Sequence, residues 1–495
     1  MKNLKFAMFI AAMCMVGGLA VAKDKSINYG PVDKPAAAGN YEGAAAAVLK
    51  AGNTKKSKLY PLDDKVNYFL DLGTLTHYSK KYDDSFTSLD EAEKAADEIK
   101  TLDSTKKDNS EKNVNPALKP YTGESFEILY SDLFNALNNY NRGGDDNIQN
   151  ARIEATQAMI KFNTLQDLAA REAAQVEADA KNDKNLKDIE FPPVTSVKFN
   201  NSALVSYVAL LLERDNNNGN QIPYLKGQID KAFTDSKSVY YNPKPKSLDD
   251  ELKVPAGKAR INVLGFTGLS PIKVQEKEVK ELKGMKFLTV LLAMLQTPQN
   301  VSDVITTFTA TIPYPTIAAT AELANGEKKD TKDLTKDDKV VKTIPTPRSA
   351  VITKVQAEVN GQVFELELLE DVGKVIYDSF AIKKDVLYRK AYARAMAKTI
   401  SAITGFSTAS IASPDMVMML AGPVKKSLAD GEKTDIRMAR YMPNSAFVGG
   451  INVDPGTYDV KITYFDKDGK EVGSETRSIE AKTNKPNIIE AVNLK

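Results

Sequence analysis

Apolar residues change their spacing part-way along this chain, and that change constrains the fold more than any other feature. Up to about residue 245 they recur at steps of three and four, the spacing of one helix face, amid many Ala, Asn, Asp and Lys. After about residue 250, Val, Ile and Thr stand in short alternating runs, the spacing of strands. The polar Pro-Lys-Pro-Lys-Ser-Leu-Asp-Asp-Glu of 243–251 separates the two patterns, so a boundary with few crossing contacts is expected within Pro243 to Pro255.

The segment Tyr68 to Asp97 carries the sharpest helical signal. Phe69, Leu72, Gly73 and Thr76 share one face, and Tyr82, Ser85, Leu89 and Ala92 share another after the break at Lys80-Lys81. Gly73 and Ser85 are small enough to let two antiparallel helices approach closely. This spacing resembles a tetratricopeptide repeat, with Ser85 in place of the usual first alanine and Leu89 in place of the aromatic. Further stripes follow the same pattern: Tyr41, Ala44, Ala45 and Val48; Phe126, Leu129, Leu133 and Leu137 with Ala151, Ala155, Ala158 and Phe162; Tyr207, Leu210 and Leu211 with Ile229, Ala232 and Phe233. Hairpins of this kind bury their apolar sides by stacking, and Pro116, Pro120, Pro192 and Pro193 in polar linkers make the expected repeats irregular. A plain helical bundle without a groove is the alternative.

The first 22 residues read as an export signal. Lys2 and Lys5 precede an uncharged run from Phe6 to Val21, and Ala20-Val21-Ala22 has the spacing of a cleavage site, so a mature start at Lys23 is expected. The only cysteine, Cys14, has Met13 before it and Ala11 three before, which does not fit a lipid-attachment signal. Cut after Ala22, the chain has no thiol and rests on its core alone. The 67 Lys and Arg face 65 Asp and Glu, and two of the lysines lie in the signal. The remainder is formally neutral, so nucleic acid is not expected as a partner. Phe287 to Leu295 is the most apolar run beyond the signal; it falls short of the roughly 18 residues a span needs and is expected to be a buried helix, leaving no stable transmembrane segment.

In the C-terminal half, Arg260 to Phe266 reads as a strand, Gly268-Leu-Ser-Pro271 as a bend, and Ile272 onward as a second extended segment. Asn360-Gly361 between two extended runs predicts a type I′ hairpin, with Phe364, Leu366 and Leu368 alternating with Glu365 and Glu367. Residues 383 to 403 predict a basic helix whose alanine-rich stripe suits packing on the sheet better than a membrane surface. Tyr458, Val460, Ile462 and Tyr464 alternate with Asp459, Lys461 and Thr463, Asp466 to Gly469 makes a turn, and a strand from Ile488 to Leu494 closes the sheet.

Four short pieces together carry a resemblance: Leu72-Gly73 to Tyr82, Gly268-Leu-Ser-Pro-Ile-Lys273, Arg437-Met-Ala-Arg440-Tyr-Met-Pro443 and Pro455-Gly-Thr-Tyr458. With them the chain resembles a poorly characterised family of bacterial exported proteins and lipoproteins that combine a tetratricopeptide-like N-terminal region with a C-terminal α/β part. The resemblance implies a cell-envelope location and supplies no established chemistry. The expected fold is multidomain. Residues 1–22 are a signal peptide, 23–245 an irregular tetratricopeptide-like helical domain, 246–430 a mixed α/β domain, and 431–495 a β-sandwich-like unit, either separate or continuous with the domain before it.

Few chemical tools remain for catalysis. His77 is the only histidine, and without a mature cysteine neither a Cys-His pair nor a multi-histidine zinc site can be built within one chain. Gly265-Phe-Thr-Gly268 lacks the third glycine of a dinucleotide loop. Asp215-Asn-Asn-Asn-Gly219-Asn places its glycine one position early for a calcium loop, with Lys226 where the closing glutamate belongs. No catalytic residue, cofactor or metal ligand is therefore assigned. The expected function is that of a non-enzymatic protein-binding or scaffold protein, periplasmic or secreted, with an envelope protein or peptide as partner. The alternative is an envelope hydrolase using paired carboxylates in the C-terminal half. In stacked hairpins the first helix of each pair sets the inner wall, which makes Tyr68, His77 and Tyr78 the candidate partner-binding residues if they are exposed around a concavity.

Overall fold

The computed structural model describes residues 27–105, 117, 119–182, 201–214, 221–281, 309–335, 337–408 and 434–495. The signal segment with Cys14, the Asp215 to Asn220 loop and the apolar run Phe287 to Leu295 lie outside the described residues.

Helices come first and in pairs: α1 (Gly30–Ala37) with α2 (Tyr41–Ala51), α3 (Lys65–Tyr78) with α4 (Tyr82–Thr105), α5 (Ser125–Arg142) with α6 (Asp145–Asn182), and α7 (Ala203–Arg214) with α8 (Gln221–Asp235). Each pair also packs on the next, α2 on α3, α4 on α5 and α6 on α7. Local chemistry sets the turns. The Asn40 side chain accepts the Gly43 N–H at 2.9 Å and caps α2, and Lys80 adopts a positive φ of 62° where the chain reverses between α3 and α4. The close approach of α3 and α4 depends on Gly73. A Cβ there would stand 2.5 Å from Leu89 Cδ2, and Ser85 Oγ donates to the Gly73 carbonyl at 2.8 Å, so the two small residues do what their spacing predicts.

The short α9 (Ser247–Asp250) leads into the C-terminal part. There β1 (Ala259–Thr267) is followed by β2 (Lys273–Glu281) and β3 (Thr309–Ile317), which pair as a ribbon, and by β4 (Ala319–Leu323), β5 (Lys328–Asp330) and β6 (Val340–Pro345), which form a small sheet. Then come β7 (Ile352–Val359), β8 (Gln362–Asp371), α10 (Val372–Thr408), β9 (Ser445–Val453), β10 (Gly456–Asp466), β11 (Glu471–Ala481) and β12 (Asn487–Asn493). Asn360 and Gly361, at φ 49° and 78°, make the β7–β8 turn as the Asn-Gly pair predicts. α10 begins directly after β8 because Asp371 accepts the Lys374 N–H at 3.0 Å as a cap, and it packs along β3.

The main sheet runs β11-β10-β7-β8-β9-β1-β12 and is antiparallel except where β12 lies parallel to β1. Its two ends meet: the Val492 N–H donates to Glu475 Oε1 at 3.2 Å, so the sheet is nearly closed around a core that includes Val263, Val355, Leu366, Phe447 and Ile462. The last strands are not a sandwich of their own. β9 lies between β8 and β1, and β10 beside β7: both neighbours of β1 come from the far end of the chain, and so does the second neighbour of β7, whose first is β8.

A second core spans both parts, from Val32 to Leu494. It lies between the helices and the outer face of the sheet, where Phe134 of α5 meets Phe266 of β1 at a ring separation of 5.7 Å. The polar 243–255 stretch is no open linker, since Leu248 and Glu251 within it are buried. Among the described residues no helix is long and apolar enough to cross a membrane.

Candidate functional site at the helix–sheet seam

Helices α3, α5 and α7, the first of their pairs, turn polar side chains toward the sheet. Burial is unbroken from Leu70 to Tyr78, from Leu129 to Asn139 and from Ala203 to Leu212. A buried polar group needs a partner, and here several of the partners, Glu370 and Glu490 among them, come from the C-terminal part.

At the centre stands Glu370, only 1 % exposed. Along β8, Leu366 points into the sheet's own core, and strict alternation would send residue 370 the same way. A bulge between Leu368 and Glu370 re-aims it at the helices. There it accepts from Tyr130 at 2.7 Å, Ser202 at 2.7 Å, Tyr240 at 2.6 Å and the Leu204 N–H at 3.1 Å. Burial raises its pKa against the pull of these donors.

A second buried carboxylate, Glu251, takes Arg260 Nε at 2.8 Å, Asn262 at 2.7 Å, Tyr207 at 3.1 Å and Arg214 at 3.2 Å. It ties α7 to β1, and explains why the 243–255 stretch packs.

The stretch Arg437 to Pro443 crosses the helices as a strap. The Ala439 N–H donates to Glu127 Oε1 at 2.6 Å and the Arg440 N–H to Asp71 Oδ1 at 2.7 Å, while Tyr60 donates to Asp71 Oδ2 at 2.8 Å. Burial pushes Asp71 up to about 6 and Glu127 up to about 7. Neighbouring Glu124 goes the other way. Burial opposes its charge, but the ammonium groups of Lys273 and Lys383, at 2.7 and 3.1 Å, outweigh that and hold it at about 2.

At the β12 end, His77 of α3 lies between Asn138 Oδ1 and Glu490 Oε2, each 2.8 Å from a ring nitrogen. Asn141 donates to the other oxygen of Glu490 at 2.6 Å.

No family model, curated protein or solved structure matches this chain. Both oxygens of Glu251, of Glu370 and of Glu490 accept hydrogen bonds from within the chain. None of the three is placed to take a proton from a ligand. Among the described residues no group of three or more His, Cys, Asp or Glu could hold a metal ion.

The three candidate partner-binding residues fall in or beside this seam. His77 and Tyr78 are 3 % and 5 % exposed, and Tyr78 donates to the Tyr441 carbonyl at 3.0 Å. Tyr68 is half-buried, its ring 5.5 Å from Tyr60 and 5.1 Å from Phe69. Exposure around a concavity does not hold for His77 or Tyr78, because the protein's own sheet covers the wall on which they lie. The residues that sequence reasoning missed are Asp71, Glu127, Glu251, Glu370 and Glu490. One signal for them was present: Asn135, Asn138, Asn139 and Asn141 cluster amides on one side of α5, of which Asn138 and Asn141 meet His77 and Glu490.

Proposed function

We propose that this protein is a non-enzymatic binding or scaffold protein of the bacterial cell envelope, exported by its first 22 residues. The observation that carries the proposal is the use of Glu251, Glu370, Glu490 and the one histidine as internal fasteners between helices and sheet. The paired and stacked helices favour an irregular tetratricopeptide-like repeat for residues 23–245, and the resemblance to exported envelope proteins favours the location. With the inner wall covered, the surface left for an envelope protein or peptide is the outer helix layer, where Ile153 and Ile160 of α6 and Tyr224 of α8 are exposed.

A photo-crosslinking residue placed at Ile160, at Tyr224 and at Tyr78 in intact cells tests this. Adducts with an envelope protein are expected from the outer positions and not from Tyr78. Adducts from none of the outer positions, together with turnover of envelope glycans or peptides by the purified protein, would favour the hydrolase instead. Intact-mass measurement separately tests the start at Lys23.

A further inference from the structure

We infer that His77 is held as an imidazolium and clamps the helices to the sheet in a pH-dependent way. The hydrogen-bond network assigns both ring protons. Asn138 donates through Nδ2 to Ser85 Oγ at 2.9 Å and to Asn135 Oδ1 at 3.2 Å, so its oxygen is the end that faces the ring. His77 Nδ1 must then carry a proton. On the other side Nε2 meets Glu490 Oε2, an acceptor once ionised, and must carry one as well.

A neutral ring has a single N–H, so one of the two contacts would become acceptor against acceptor in a site only 3 % exposed. Turning the Asn138 amide over would mend that contact and break its bonds to Ser85 and Asn135. Burial works against the charge, but Glu490 and the bond to Asn138 more than offset it, and the ring lies above its ordinary value of 6.5.

The tyrosines around the ring do not change charge where histidine does. Tyr78 of the same helix and Tyr82 of α4 flank it at 5.8 Å each, and burial raises both phenols. Burial likewise raises Tyr41 of α2, which meets Tyr78, to about 12. On β11, Arg477 pairs with Glu475 at 2.5 Å; burial lowers the guanidinium, which Glu490 helps to keep charged, and raises the carboxyl. Arg477 therefore gives Glu490 a remaining positive neighbour, which makes the weakening graded rather than complete.

The sign follows from the raised value. The clamp contributes fully below 6.5, the unfolded value, and its contribution is lost as pH rises through the folded value. The chain has one histidine, so ring-nitrogen NMR of the full protein carries a single pair of signals. At pH 6.5 the account predicts both nitrogens protonated, with one titration above that value. The protection factors of amides in α5 and β12, with intrinsic exchange divided out, should then fall across that titration, by up to about tenfold for each pH unit by which the folded value exceeds 6.5. Glu490→Gln should lower the titration point. A neutral ring in one tautomer at pH 6.5, or a wild-type titration at or below the ordinary histidine value, would overturn the inference even if the variant fails to fold.

Discussion

The two rows of helices are built to different rules. In the outer row, α6 leaves Ile153, Thr156, Gln157 and Ile160 open while Ala151, Ala155 and Ala158 are buried, as an amphipathic helix should. In the inner row, α5 buries Ser131, Asp132, Asn135, Asn138 and Asn139 along with its leucines. Outer helices answer to one apolar neighbour and to water. Inner helices answer to the helices behind them and to a sheet in front: Asp132 meets Lys161 of α6 and Asn138 meets Ser85 of α4, while Tyr130, Asn141 and Glu127 of the same helix reach Glu370, Glu490 and the strap. A groove that a stacked-hairpin protein would offer to a partner is here filled by the same chain.

The largest effect expected in breaking this contrast is at Glu370. Glu370→Ala removes the common acceptor for Tyr130, Ser202, Tyr240 and the Leu204 N–H, and should cost roughly 3–5 kcal/mol in urea unfolding. A loss below about 1 kcal/mol would mean that the seam is loose. Lys273→Met comes next. Glu124 keeps Lys383, so the expected loss at neutral pH is about 2 kcal/mol. Because the folded value of Glu124 is depressed, its contribution is present above 4.5 and lost as pH falls through about 2. Acid unfolding of the variant should therefore begin at higher pH than in wild type; an unchanged acid midpoint would contradict the pairing.

Gly73→Ala sharpens the contrast within one helix pair. The new methyl meets Leu89, and the expected cost is about 1–2 kcal/mol. In a double-mutant cycle with Leu89→Ala the two losses should be less than additive, and strict additivity would remove the contact from the account. The smallest effect belongs to the outer row: Ile160→Ser should stay within about 0.5 kcal/mol of wild type.

Much of the architecture was legible because it rests on periodicity. The α3–α4 pair, the Asn360-Gly361 hairpin and β1, β10 and β12 follow directly from spacing and turn residues. β11 was not foreseen, since Glu471, Glu475, Arg477 and Glu480 leave it little apolar alternation; it is an outer strand whose few inward residues complete the closed core. The seam was least legible. Its pairs join residues as far apart as His77 and Glu490, and no local pattern encodes such a distance. Even so, the doubled Leu368-Leu369 breaks the alternation of β8 at the point where the bulge redirects Glu370, and two asparagines of α5, Asn138 and Asn141, flank the His77–Glu490 pair.

The central claim is that the sheet fills the inner wall of the helices, so that both open together. Native-state hydrogen exchange tests it most directly, by comparing amides at Leu133 to Leu137 of α5 with amides at Ile261 to Leu264 of β1. The account predicts one shared opening free energy for the two groups in wild type, falling by the same amount in Glu370→Gln. Separate opening energies, with α5 unchanged when β1 is weakened, would contradict it.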